Sequence, residues 1–69
     1  MEFLIVCDPK VMLGKPIIKG TRITVEHILE EIAGGCSIGE LIDAYSILTR
    51  EAIQAALKFA AVLSRNSSK

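Results

Sequence analysis

The stretch SIGELIDAYSILTREAIQ, Ser37 to Gln54, decides the fold. Two helix starts are written into it. Ser37 stands three residues before Glu40, the spacing of a capping box. There the serine oxygen takes the third helical amide and the glutamate reaches back to the N-cap amide. Thr49 offers a second cap ahead of Arg50-Glu51. Between the two caps, Ile38, Leu41 and Ile42 give an apolar face to a short helix, Ile38 to Ala44. Tyr45-Ser46-Ile47-Leu48 leaves room only for a tight connection. After Thr49 the chain continues EAIQAALKFAAVLS, rich in alanine and leucine and free of Gly and Pro. A short helix, a compact turn and a longer helix form the outline of a helix-turn-helix unit.

The rest of the chain arranges itself around this unit. Thr24 is placed to cap an earlier helix whose first turn carries Glu26, where the macrodipole favours an anion. Val25, Ile28, Leu29 and Ile32 fall at i, i+3, i+4 and i+7, one apolar face, and Gly34-Gly35 ends the pattern. The three helices are expected to run for roughly 9, 7 and 15 residues. Upstream, Phe3-Leu4-Ile5-Val6-Cys7 reads as a strand stopped by Asp8-Pro9. Ile17-Ile18 and Arg22-Ile23 flank Gly20 as small extended pieces able to pair with it. The expected fold is mainly α: a three-helix bundle over residues 25–65, preceded by a short extended or β arm over residues 1–24. Residues 66–69 are expected to be a frayed polar tail, and the whole chain, 1–69, a single domain.

A domain of 69 residues buries only about 60% of the surface its unfolded chain exposes. Small domains therefore lean on disulfides, metals or partner chains. With 51% hydrophobic residues and a mean hydropathy of +0.46, the composition favours a partner chain, and a homodimer is expected. One candidate interface is the strand carrying Phe3 and Ile5, since an unpaired apolar edge invites pairing. Another is the side of the last helix carrying Ala55, Phe59 and Val62. Cys7 and Cys36 lie far apart with no CxxC, and His27 is the sole histidine. A tetrahedral zinc site needs about four ligands at short paired spacings, so neither metal nor cofactor is expected. MEFLIVCDP lacks a basic leader and is too short to span a membrane, so a soluble cytoplasmic protein is expected.

The formal net charge is zero, yet the charges are segregated. Residues 1–25 carry Lys10, Lys15, Lys19 and Arg22 against Glu2 and Asp8. Residues 26–49 carry Glu26, Glu30, Glu31, Glu40 and Asp43 with no Lys or Arg. Residues 50–69 carry Arg50, Lys58, Arg65 and Lys69 against Glu51. Such patterning bears on partners more than the total does. Arg50, Gln54 and Lys58 share a stripe of the last helix, whose early residues would reach base edges in a helix-turn-helix. Arginine suits guanine, glutamine suits adenine and lysine suits a phosphate. A solvated polar face on a core helix would show the same spacing. Lys15, Lys19 and Arg22 surround Pro16 and Gly20 in GKPIIKGTRIT, a loop able either to follow a phosphate backbone or simply to turn the chain. It is not a Walker loop. Glu26, Glu30 and Glu31 make an acidic face suited to a basic protein surface. No nucleophile has a recognisable base partner, so enzyme activity is not expected.

These residues resemble a known family. DPKVMLGKPIIKGTRITVEHILEEIAGG followed by SIGELIDAYSILTREAIQAALKFAA is similar to the bacterial and archaeal family catalogued as domain of unknown function 433, over about Leu4 to Leu63. GKPIIKGTRITVEHIL is the more specific signature and LTREAIQAAL the second. The family's KGTR turn falls on Lys19, Gly20, Thr21 and Arg22, and its last-helix start on Leu48, Thr49 and Arg50. The resemblance implies a homeodomain-like helix-turn-helix fold and an antitoxin whose partner is a PIN-like ribonuclease, often encoded next door. Two departures stand out. The family often has a glycine pair before its Lys-Pro, and here Leu13 replaces the first. It often has Tyr-Pro before the last helix, and here Ser46 replaces the proline. The leading expectation is an antitoxin-like regulator that binds operator DNA as a dimer and neutralises a ribonuclease. The rival is a protein-interaction adaptor without DNA binding, which near-neutral charge favours, since strongly basic domains are the usual DNA binders.

Overall fold

Two short strands open the structure, a computed structural model that describes residues 4–67. β1 (Ile5–Val6) pairs antiparallel with β2 (Ile17–Ile18), with Ile5 opposite Ile18 and Val6 opposite Ile17. The strand expected over Phe3 to Cys7 is thus shorter, and Phe3 lies outside the described residues. The ladder closes early because Asp8 begins a turn: its carbonyl accepts from Val11 N at 2.8 Å and its Oδ1 from Lys10 N at 2.9 Å. This is the local bonding by which Asp side chains draw a chain out of a sheet.

β2 leads into a second, tight turn. Thr21 N donates to Ile18 O, and Gly20 takes φ +83°, the value a type II turn requires at its third residue. Thr21 Oγ1 donates to Ile18 O at 2.8 Å and accepts from Ile23 N at 2.9 Å. The returning chain bonds back to β2 through Ile18 N to Ile23 O, a bridge between Ile17 and Thr24, and Val25 N to Pro16 O. GKPIIKGTRIT is therefore a braced hairpin that delivers Thr24 to the start of a helix.

Three helices follow: α1 (Val25–Ala33), α2 (Ile38–Ala44) and α3 (Arg50–Ser67). Each begins where its cap stands. Thr24 Oγ1 accepts from His27 N. Ser37 and Glu40 complete a reciprocal capping box. Thr49 Oγ1 accepts from Ala52 N. α3 is 18 residues long rather than about 15, because nothing in its sequence breaks a helix before Ser67.

α3 packs on α1, α2 and β1. The core holds Ile18, Val25, Ile28, Leu41, Leu48, Ala52, Ile53 and Ala56, with Ile28, Leu41 and Ile53 fully buried. Burying each of those three side chains contributes about 1.5–3 kcal/mol. The small Ala52 and Ala56 flank Ile53 on the inward face of α3, which brings that helix close to α1. The architecture is a mainly-α three-helix bundle preceded by short N-terminal strands.

Candidate functional site

The α2–α3 junction fixes the orientation of the long helix. Tyr45 N caps α2 through Leu41 O, and Leu48 N returns to Tyr45 O at 2.9 Å. Ser46 thus occupies the first central position of a closed turn, where proline is favoured, and the turn closes without it. Leu48, buried to 2% exposure, plugs the core directly before the Thr49 cap. From there Arg50, Gln54 and Lys58 are all exposed, on the side of α3 opposite Ala52, Ile53 and Ala56.

The arm's cations lie elsewhere. Lys19 is exposed in the Gly20 turn. Lys15 Nζ sits 3.0 Å from Glu26 Oε1, an ion pair between half-exposed side chains. Lys15 and Arg22 line one wall of an open cleft of about 520 Å³, and Glu26, His27 and Glu30 of α1 line another, with Met12 and Tyr45 at its edge. The structure therefore brings Lys15 and Arg22 together with Glu26 and Glu30, which the sequence had suggested as two separate surfaces. Glu31 is nearby, its Oε2 4.0 Å from His27 Nε2. His27 Nε2 also shares a 2.8 Å hydrogen bond with the Tyr45 hydroxyl, the two rings meeting edge to face. This His27–Tyr45 contact ties α1 to the C-terminal cap of α2. Sequence reading missed it, because residues 18 positions apart on different elements show no shared periodicity.

A second concavity lies between α1 and the far half of α3. It measures about 310 Å³ and its walls are Pro16, Val25, Leu29, Phe59, Ala60 and Leu63, with Glu26 and Glu30 on the rim. Of the residues suggested for a dimer interface, Ile5 and Phe59 are half-buried and pack against the core. Ala55 is half-buried and Val62 exposed.

Chemistry-bearing groups are few. Among the described residues no cluster of three His, Cys, Asp or Glu could hold a metal ion, and no helix is long and apolar enough to cross a membrane. Cys7 and Cys36 are free thiols. Partial burial raises the Cys36 thiol above its ordinary pKa, and the carboxylates of Glu40 and Glu31 add to the effect. A raised pKa means less thiolate at neutral pH and low nucleophilicity.

The family model described as "Protein of unknown function (DUF433)" matches residues 5–60. The chain belongs to this family. A crystal structure of a DUF433 member protein from Anabaena variabilis is similar in fold and sequence, with a TM-score of 0.85 at 28% identity over 91% of this chain. This chain spans 62% of that protein's length. No curated protein matches the sequence. The DUF433 match ends at residue 60, so it takes in the hairpin, α1, α2 and the Arg50–Lys58 face, and stops short of Leu63.

Proposed function

We propose that this DUF433 protein is an antitoxin-like regulator that reads operator DNA through α3 and neutralises a PIN-like ribonuclease. It acts as a binding protein rather than an enzyme. The reading is supported chiefly by the row Arg50, Gln54 and Lys58, exposed along the first half of a helix that follows a closed turn. Those residue types at those positions suit base edges and a phosphate in a helix-turn-helix.

The test is a mobility-shift assay with the DNA upstream of the protein's own gene. Arg50→Ala and Gln54→Ala should each lose about 1–3 kcal/mol of discrimination between the operator and an unrelated duplex. Lys19→Ala should instead weaken binding to every sequence and lower the salt slope by about one. Equal affinity of the wild type for all duplexes, or no shift at all, would overturn the DNA reading.

The adaptor reading is favoured by a different observation. Lys15 is already paired with Glu26, and Arg22 shares its cleft with Glu26 and Glu30. Cations met by internal carboxylates release fewer counterions from DNA. A protein that captures a PIN-like ribonuclease but shifts no DNA would establish this reading.

A further inference from the structure

We infer that the cleft between the hairpin and α1 binds an extended peptide segment, which adds as a strand beside Arg22–Thr24 and carries side chains of both charges. The inference does not rest on the DNA reading, since peptide binding is measured without DNA.

The first observation is an open backbone edge. Ile23 O accepts from Ile18 N. The peptide bond that follows is trans, so Thr24 N–H points the opposite way, away from β2. Ile23 N donates to Thr21 Oγ1, so Arg22 C=O is turned away from the hairpin's own turn for the same reason. Neither Thr24 N–H nor Arg22 C=O has a partner among the described residues. Thr24 C=O differs, since Ile28 N takes it as α1 begins. An acceptor before Ile23 and a donor after it are the pair that an added antiparallel strand takes up when one of its residues lies opposite Ile23. Thr24 is only 7% exposed, and a donor on so enclosed a residue is costly to leave without an acceptor.

The second observation is what this edge borders. Arg22, Ile23 and Thr24 all line the cleft of about 520 Å³, together with Glu26, His27 and Glu30 of α1. That volume is in the range of ligand sites, about 300–1,000 Å³. In strand addition the edge supplies main-chain hydrogen bonds, and the walls beside it select side chains. Met12 also lines the cleft. It is held at φ 51° and is 41% exposed. Backbone strain of this kind gathers at ligand clamps, and a methionine there is an adaptable apolar contact.

The third observation is the charge left over in the cleft. Lys15 and Glu26 satisfy each other. Arg22 and Glu30 are both exposed, and neither side chain has a hydrogen bond or ion pair among the described residues. A peptide with one acidic and one basic side chain answers both. A nucleic acid does not, because phosphates that reached Arg22 would also meet Glu26 and Glu30.

The probe is a phage-displayed library of random heptapeptides, selected on the immobilised full chain, with one selected sequence then made synthetically. Selected peptides should carry both an acidic and a basic residue. On titration the amide resonances of Arg22, Ile23, Thr24 and Glu30 should move, and those of Arg50 and Gln54 should not. In the free protein the Thr24 amide should exchange faster than that of Val25, which is bonded to Pro16 O, and bound peptide should slow it at least tenfold. Arg22→Met and Glu30→Gln should each weaken binding by about three- to tenfold with unchanged circular dichroism, and Lys58→Met should leave it as it is. N-methylation of the peptide amide that meets Arg22 C=O should cost about tenfold or more, and methylation of the next amide, which faces away from the edge, far less. A selection that yields no peptide moving these amides, or shifts confined to α3, would overturn the inference. A Thr24 amide already protected in the free chain would overturn it too, and protection that rises with protein concentration would give the edge to a second copy instead.

Discussion

Two turns stand on either side of Pro16-Ile17-Ile18, and they treat the same backbone demand in opposite ways. In the second turn one residue has positive φ, and it is Gly20 at +83°. Thr21 then spends both hydrogen-bonding capacities of its hydroxyl on the turn itself. In the first, three successive residues have positive φ: Met12 at 51°, Leu13 at 59° and Gly14 at 81°. Only the last suits a left-handed conformation. Backbone bonds from Gly14 N to Val11 O and from Lys15 N to Met12 O hold the turn, at 3.1 Å each, and Leu13 is left 92% exposed. The second turn agrees with its sequence. The first holds a side chain in a strained conformation while leaving it almost wholly in solvent. The family pattern of paired glycines before Lys-Pro now has a physical reason, since the backbone at position 13 is one that glycine adopts without cost.

The largest expected effect breaks the better turn. Gly20→Val should destabilise the fold by about 1–3 kcal/mol, measured as a lower midpoint in urea with unchanged slope. The cause is separable from crowding. A Cβ built at Gly20 meets nothing within 4 Å, so the penalty belongs to the backbone alone. Gly20→Ala should therefore cost much of what Gly20→Val does, and Gly20→Asn clearly less, because asparagine tolerates the left-handed region. Equal losses for alanine and asparagine would remove this account of the turn.

The comparison also explains what the sequence disclosed. Helix starts are legible because a cap is a local chemical event: Thr24, Ser37-Glu40 and Thr49 each bind an amide three residues away. Gly20 is legible for the same reason. The Met12–Leu13 turn is not, since a leucine gives no sign of a positive φ, which only the backbone of the turn shows. The length of β1 is equally obscure. Its apolar run continues beyond the two paired residues, and only the Asp8 bonds show where the ladder stops. As for the site, the exposed row on α3 follows from helical period alone. The facing of Lys15 and Arg22 toward Glu26 and Glu30 depends on the hairpin folding back along α1, which no sequence period encodes.

A smaller effect, of opposite sign, sharpens the comparison. Leu13→Gly should stabilise the protein by roughly 0.5–1 kcal/mol, the relief of left-handed strain less the extra entropy glycine gives the unfolded chain. The side chain's exposure means little packing is lost. A rise in thermal midpoint would be the readout. Leu13→Ala, which keeps a Cβ, should leave it nearly unchanged. A fall with glycine would mean that Leu13 supplies packing its exposure conceals.

The smallest effect concerns how each turn is tied to α1. The second turn is joined by backbone hydrogen bonds and by the Thr24 cap. The first is joined by Lys15, directly after Gly14, through its 3.0 Å contact with Glu26. Those side chains are 52% and 59% exposed, and pairs so open to water are worth only about 0.2–1 kcal/mol. A double-mutant cycle with Lys15→Met and Glu26→Gln should give a coupling at the lower end of that range. High salt should remove most of it, since exposed charges are screened over about 8 Å at physiological ionic strength. Glu26 also lies in the first turn of α1, where its charge favours the helix dipole. Glu26→Gln should therefore cost slightly more than Lys15→Met, and Glu26→Gln should still cost that extra amount when it is made in the Lys15→Met background. A coupling well above 1 kcal/mol, or one that salt leaves intact, would show that the ion pair is the strut holding the strained turn, and the contrast between the two turns would then lie in their anchors rather than in their glycines.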